Sequence, residues 1–174
     1  MFIELRKGMF LYPGTFNAII APEKVLVSAI SHNPELQRFL FLYISGNYSR
    51  ILSSISRTSN NFEVVRAFTA HQLFTILQNA SHTVILMEHD PTLFEGAEEM
   101  IPQIAGMLKE VGRESLVILY SPSMDRPFSA LMRKADHIIE IALDDEGQRF
   151  APRNSSQRWK TGSRLPQQRT LEVA

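Results

Sequence analysis

Apolar positions along the chain fall into short blocks of two kinds. The first kind is continuous and of strand length: Phe16 to Ile20, Phe39 to Ser45 (FLFLYIS), Thr83 to Met87 (TVILM), Leu116 to Tyr120 (LVILY) and His137 to Leu143 (HIIEIAL). A strand with one wet face alternates, whereas a run that is apolar at both parities suits a strand covered on both sides. The second kind repeats every three or four residues and predicts helices. Such patterns lie in Lys24 to Ile30, at Ile51, Leu52 and Ile55, at Ala70, Leu73, Phe74 and Leu77, and at Phe128, Leu131, Met132 and Ala135. The clearest is Met100, Ile101, Ile104, Leu108 and Val111, with Glu98, Glu99, Lys109 and Glu110 on the other side and Gly112 as a C-terminal cap. Strands alternating with helices of this length predict a layered α/β fold with a mainly parallel sheet.

Composition narrows the class. The 174 residues suffice for one domain with a real core, and 44% hydrophobic residues is ordinary for a globular protein. No apolar run approaches the ~18 residues of a membrane span, and no secretory leader is apparent, so a cytoplasmic protein away from the membrane is expected. There is no cysteine, which removes disulfides and thiolate chemistry. The formal net charge of zero is unevenly spread. Arg153, Arg158, Lys160, Arg164 and Arg169 against Glu172 give residues 151–174 a charge of +4, and residues 1–150 carry the balancing −4. The expected organisation is a core domain over 1–150 and a basic tail over 151–174.

Candidate chemistry begins at Gly14 to Ile30, GTFNAIIAPEKVLVSAI. A strand runs through a tight turn into a helix, the place where G-x-x-x-x-G-K-[ST] cradles phosphate. Here the loop is Ala21-Pro22-Glu23-Lys24. It has no glycine, Pro22 lacks an N–H, Glu23 brings a negative charge, and Val25 stands at the position of the Mg²⁺-binding hydroxyl. Lys24 takes the place of the phosphate-loop lysine. The strand HTVILMEHD places Glu88 where an acid would hold Mg²⁺ through water, with Asp90 two positions on. Lys24 and Glu88 are the candidate remnant of a nucleotide site, and weak ATP and Mg²⁺ contact stays open beside a purely structural role. His32, His71, His82, His89 and His137 show no i,i+3 or i,i+4 pair, so no helical metal site is visible. No G-x-S-x-G elbow supports a serine hydrolase.

The segment Arg66-Ala67-Phe68-Thr69-Ala70-His71-Gln72-Leu73 resembles the R-A-[FY]…H-Q-L element of the RecA/RadA recombinase superfamily, including its archaeal RadA-, RadB- and KaiC-like members. As in that family, a helix, an acid-ending strand, a long amphipathic helix and a strand ending in Tyr120-Ser121-Pro122 follow it. Ala135-Asp136-His137-Ile138-Ile139-Glu140-Ile141 is similar to the family's A-D-x-[IV]-[IV]-x-[IL] strand. The resemblance covers about residues 14–150. It implies a RecA-like three-layer fold with a mainly parallel twisted sheet flanked by helices, and roles in DNA recombination or repair.

The departures are the missing phosphate loop and the short stretch Ser121 to Lys134, where recombinases carry a longer mobile DNA-binding loop. Together they imply a degenerate, non-catalytic member acting through assembly, with itself or with a recombinase-like ATPase. Two alternatives stand beside this. One is an ATPase with an unusual phosphate site. The other is a DNA-binding module in which Arg153, Arg158, Lys160 and Arg164 contact phosphates and Trp159 stacks on a base.

Overall fold

A computed structural model of the chain describes residues 2–55 and 59–142. Six strands form one parallel sheet: β3 (Thr15–Ile20), β4 (Phe41–Ser45), β5 (Phe62–Arg66), β6 (Val84–Glu88), β7 (Leu116–Ser121) and β8 (His137–Glu140). Their order across the sheet is β5-β4-β6-β7-β3-β8. The first two strands of the chain, β1 (Ile3–Arg6) and β2 (Met9–Leu11), make a separate antiparallel hairpin.

Strand parity decides what each residue packs against. Ala18, Leu42, Ile44, Ile85, Met87, Val117 and Leu119 face one side and pack with Leu73 and Leu77 of α2 (Ala70–Gln78), Ile104 and Leu108 of α3 (Ile101–Val111), and Phe128 and Leu131 of α4 (Arg126–Leu131). Ile19, Phe41, Tyr43, Leu86, Ile118 and Tyr120 face the other side. There they meet Leu26 and Ile30 of α1 (Glu23–Ser31), the hairpin residues Ile3, Leu5 and Leu11, and Ile51 and Ile55. This is the three-layer α/β architecture that the continuous apolar runs predicted.

One local expectation is corrected, and two further points go beyond the linear pattern. Ile51, Leu52 and Ile55 do not lie on an α-helix; Leu52–Ser54 is a single 3₁₀ turn, with Ile51 and Ile55 buried on either side of it. Strand β5 and the hairpin carried no continuous apolar run. β5 is a sheet edge whose residues are half-buried or exposed, so Phe62-Glu63-Val64-Val65-Arg66 lacks the doubly buried signature. Gly112 does cap α3, but with φ −62° it is not there for a left-handed turn. A Cβ on it would sit 3.0 Å from Phe16 Cβ and 3.1 Å from Phe16 N, so its role is close approach of the helix end to β3.

No helix among the described residues is long and apolar enough to cross a membrane.

Candidate functional site

Because the six strands are parallel, their carboxyl ends share one edge, the edge at which open α/β sheets hold ligands. The β3–α1 turn, residues 46–50 after β4, residues 89–92 after β6 and residues 122–125 after β7 all lie there.

The β3–α1 turn is held by hydrogen bonds from the protein itself. Pro22 caps α1 without a side-chain hydrogen bond, Val25 N–H donates to Pro22 O at 3.0 Å, and Ala21 N–H donates to Ser121 O at 3.3 Å. Tyr120, fully buried at the end of β7, donates its hydroxyl to Ala21 O at 3.1 Å. Burial first, then the charges of Glu23 and Glu88, push the Tyr120 pKa up to about 12, against a smaller opposite effect of Arg50. A neutral phenol thus stands behind the turn where a glycine loop would present N–H groups to phosphate. Lys24 lies exposed on the first turn of α1 and makes no hydrogen bond or ion pair among the described residues.

Glu88 is buried, and both of its carboxylate oxygens are engaged. Oε2 accepts the Tyr43 hydroxyl and the Ser49 hydroxyl, the latter at 2.7 Å, while Oε1 accepts the Arg50 N–H at 2.7 Å. Burial and then this carboxylate raise the Tyr43 pKa well above the ordinary phenol value. Asp90 is equally committed. Its Oδ1 accepts Thr92 N–H at 3.0 Å and the Thr92 hydroxyl at 2.7 Å, and its Oδ2 accepts Tyr48 N–H at 3.2 Å. Burial acts to raise the Asp90 pKa, but the bonds from Thr92, Tyr48 and Asn47 outweigh it and hold the carboxyl below its usual range.

The two acids therefore fix the shape of loop 46–50. Gly46 is required in that loop, since a Cβ there would lie 2.4 Å from Asp90 Cβ. The loop so held displays Tyr48 at 76% exposure.

His89, between these acids, points to the opposite face of the sheet. Its Nε2 lies 2.7 Å from Asp125 Oδ2, and its ring sits between Phe94 and Phe128. Asp125 also caps α4 through Phe128 N–H at 2.7 Å. Burial holds the His89 pKa below its ordinary value, outweighing the pull of Asp125 and Asp90, so the ring is neutral and donates Nε2–H to Asp125. Its Nδ1 is buried without a partner among the described residues.

The segment Arg66–Leu73 is a helix start. Thr69 Oγ1 accepts Gln72 N–H at 3.2 Å and Gln72 Oε1 accepts Phe68 N–H at 2.9 Å, which satisfies free N–H groups on both sides of the helix start. Ala67, Ala70 and Leu73 are buried, whereas Arg66, Phe68 and His71 are exposed. Thr69-x-x-Gln72 is the signal in the sequence that could have marked this helix start. Tyr43, Ser49, Gly46 and Tyr120 were not legible as partners, because each meets its neighbour across the sheet.

Arg153, Arg158, Trp159, Lys160 and Arg164, and the boundary between core and tail, lie outside the described residues. Among the described residues no three His, Asp or Glu side chains come together as a metal site.

No family model matches the chain. An uncharacterized protein of Archaeoglobus fulgidus is 36% identical over 135 residues, covering 77% of this chain and 68% of that protein. Among solved structures, a KaiC-like protein of Pyrococcus horikoshii aligns with 11% identity and a TM-score of 0.47, over 75% of this chain and 73% of that one.

Proposed function

The chain belongs to the same family as the uncharacterized Archaeoglobus fulgidus protein, and for it we propose a non-catalytic role: a RecA-like accessory protein that acts through assembly, with itself or with a recombinase-like ATPase. The observation that carries this reading is Glu88. Its two oxygens are spent on Tyr43, Ser49 and the Arg50 N–H, inside the protein. Three of the roughly four acceptor positions of that carboxylate are taken by the protein itself, and the Ala21-Pro22-Glu23-Lys24 turn has no phosphate cradle beside it.

The assembly half of the reading rests on β5. Among the described residues this strand pairs only with β4, so its other side is open. Ala67 N–H donates to Ser45 O, so by strand parity the N–H groups of Val64 and Arg66 face outward. Beside them Val65, Phe68 and Ile76 line an apolar depression of about 450 Å³, with Phe68 58% exposed. An added strand whose large side chain fills that depression is the complementary partner.

Two measurements test the proposal. Thermal unfolding titrated with Mg-ATP is expected to show no saturable rise; a rise that Lys24→Ala abolishes overturns the non-catalytic half. Sedimentation is expected to show concentration-dependent association, or capture of a recombinase-like ATPase, that Phe68→Glu removes without changing stability. Association untouched by Phe68→Glu rejects β5 as the interface.

A further inference from the structure

At the carboxyl edge of β6 and β7, residues 91–98 meet the first turns of α3 and α4 around a groove of about 690 Å³. Phe94, Ile101 and Pro127 contribute its apolar lining, and Glu95, Glu98 and Arg126 its charges. None of these three charged groups forms an ion pair with a described residue. Glu99, exposed, stands next to Glu98, so the acids outnumber the cation.

Chain direction supplies an occupant. β8 runs parallel to β3 and ends at Glu140, so the chain beyond Ala142 leaves from the same edge of the sheet. At ~4.8 Å per strand, β7 is about 10 Å and β6 about 14 Å from β8. A stretch as long as 143–159 can reach at most on the order of 50 Å. Composition then matches the groove. From Gln148 to Leu171 the sequence has Arg149, Arg153, Arg158, Lys160, Arg164 and Arg169 and no acid, with Trp159 between Arg158 and Lys160.

Two other surface depressions fit this segment less well. The one beside β5 lies at the far edge of the sheet and carries Arg66 and His71. Another, lined by His82, Glu110 and Arg113, opens at the amino ends of the strands.

We propose that the groove between residues 91–98, α3 and α4 is the seat of the chain's own segment 148–169, with the Trp159 ring in the apolar lining and Arg158 and Lys160 against Glu95 and Glu98. The contact is intramolecular, so a short tether supplies the high effective concentration that makes a modest interface sufficient. Seating also withdraws the basic residues from any anionic partner, and a stronger polyanion releases them. The docking stands whether or not the chain assembles through β5.

Trp159 is the only tryptophan of the chain, so its fluorescence reads the contact directly. In the full chain the emission is expected to be blue-shifted, and less quenched by acrylamide, than in a peptide of residues 148–169. Glu95→Lys with Glu98→Lys is expected to return both readings to those of the peptide. Arg158→Glu with Lys160→Glu, which leaves the core domain untouched, should do the same. Combining the two pairs should restore the blue shift, because the charges are then swapped. At about 1 M salt, where screening acts within ~3 Å, the protection should weaken. A full chain that emits like the peptide, or a blue shift indifferent to both charge reversals, overturns the proposal. A blue shift that vanishes on dilution overturns it too, since the occupied groove would then belong to a second copy.

Discussion

Tyr43→Phe is the most direct probe of the buried carboxylate. The ring stays, and with it the packing on Phe62 at 6.3 Å between centroids; only the hydroxyl that donates to Glu88 is lost. The carboxylate keeps Ser49 and the Arg50 N–H but loses one charge-assisted bond in a buried place. Bonds to charged groups contribute about 1.5–3 kcal/mol. At 2–4 °C per kcal/mol for a chain of this size, a loss of ~2 kcal/mol lowers the melting temperature by roughly 4–8 °C.

Glu88→Gln provides the second leg of a double-mutant cycle. Its amide carbonyl can accept the Arg50 N–H, while its NH₂ turns to the Tyr43 and Ser49 hydroxyls, which accept as well as donate. In the Glu88→Gln background, removing the Tyr43 hydroxyl costs only a neutral bond, about 0.5–1.5 kcal/mol. The coupling read from thermal and urea unfolding of the four proteins is therefore expected near 1 kcal/mol or above. A Tyr43→Phe protein within ~0.5 kcal/mol of the parent, the range of an unremarkable surface change, refutes the reasoning. So does a melting temperature that rises with Mg²⁺ in the parent and not in Glu88→Gln, because the acid would then be serving a metal.

Three further outcomes follow from the same edge of the sheet and its neighbours. Gly46→Ala places a Cβ 2.4 Å from Asp90 Cβ, a carbon held by the bonds to Thr92 and Tyr48, and is expected to cost roughly 2–3 kcal/mol in urea unfolding; an unchanged midpoint contradicts the close approach. His89 has a folded pKa below its unfolded value, so the unfolded chain takes up a proton that the folded one refuses. Its contribution is complete above about pH 6.5 and falls away as pH drops below that. His89→Gln should flatten the stability profile below about pH 6.5, and parallel profiles count against it. Asp136 has a lowered folded pKa: burial opposes the shift, but the bonds from Lys109 and Phe16 N–H outweigh it. Its contribution is present above about pH 4 and lost below, so Asp136→Asn should soften the acid limb of the unfolding curve, which an unaltered limb would contradict.

Much of the architecture was written in the linear pattern. FLFLYIS, TVILM and LVILY are apolar at both parities, and a strand with that pattern is stable only with cover on each face, so the layers followed from local sequence. Ala70, Leu73, Phe74 and Leu77 likewise announced α2, because their spacing lies on one helical face. β5 stayed hidden for the converse reason. An edge strand buries only part of itself, and its claim to be a strand comes from pairing with β4.

The strand ending at Glu88 looked like a metal-binding strand because an acid after four apolar residues is the same in either role. What separates the roles is the order of the sheet, in which β4 lies beside β6 and so brings the Tyr43 and Ser49 hydroxyls to that acid. The same is true of the β3–α1 turn. The absence of glycine was visible in Ala21-Pro22-Glu23-Lys24, but the tyrosine whose hydroxyl bonds the turn arrives from β7, ninety-nine positions away along the chain. Periodicity and capping are properties of neighbours in sequence and can be read there. The fate of a buried acid depends on which donors the folded sheet sets beside it, and only the tertiary structure decides that.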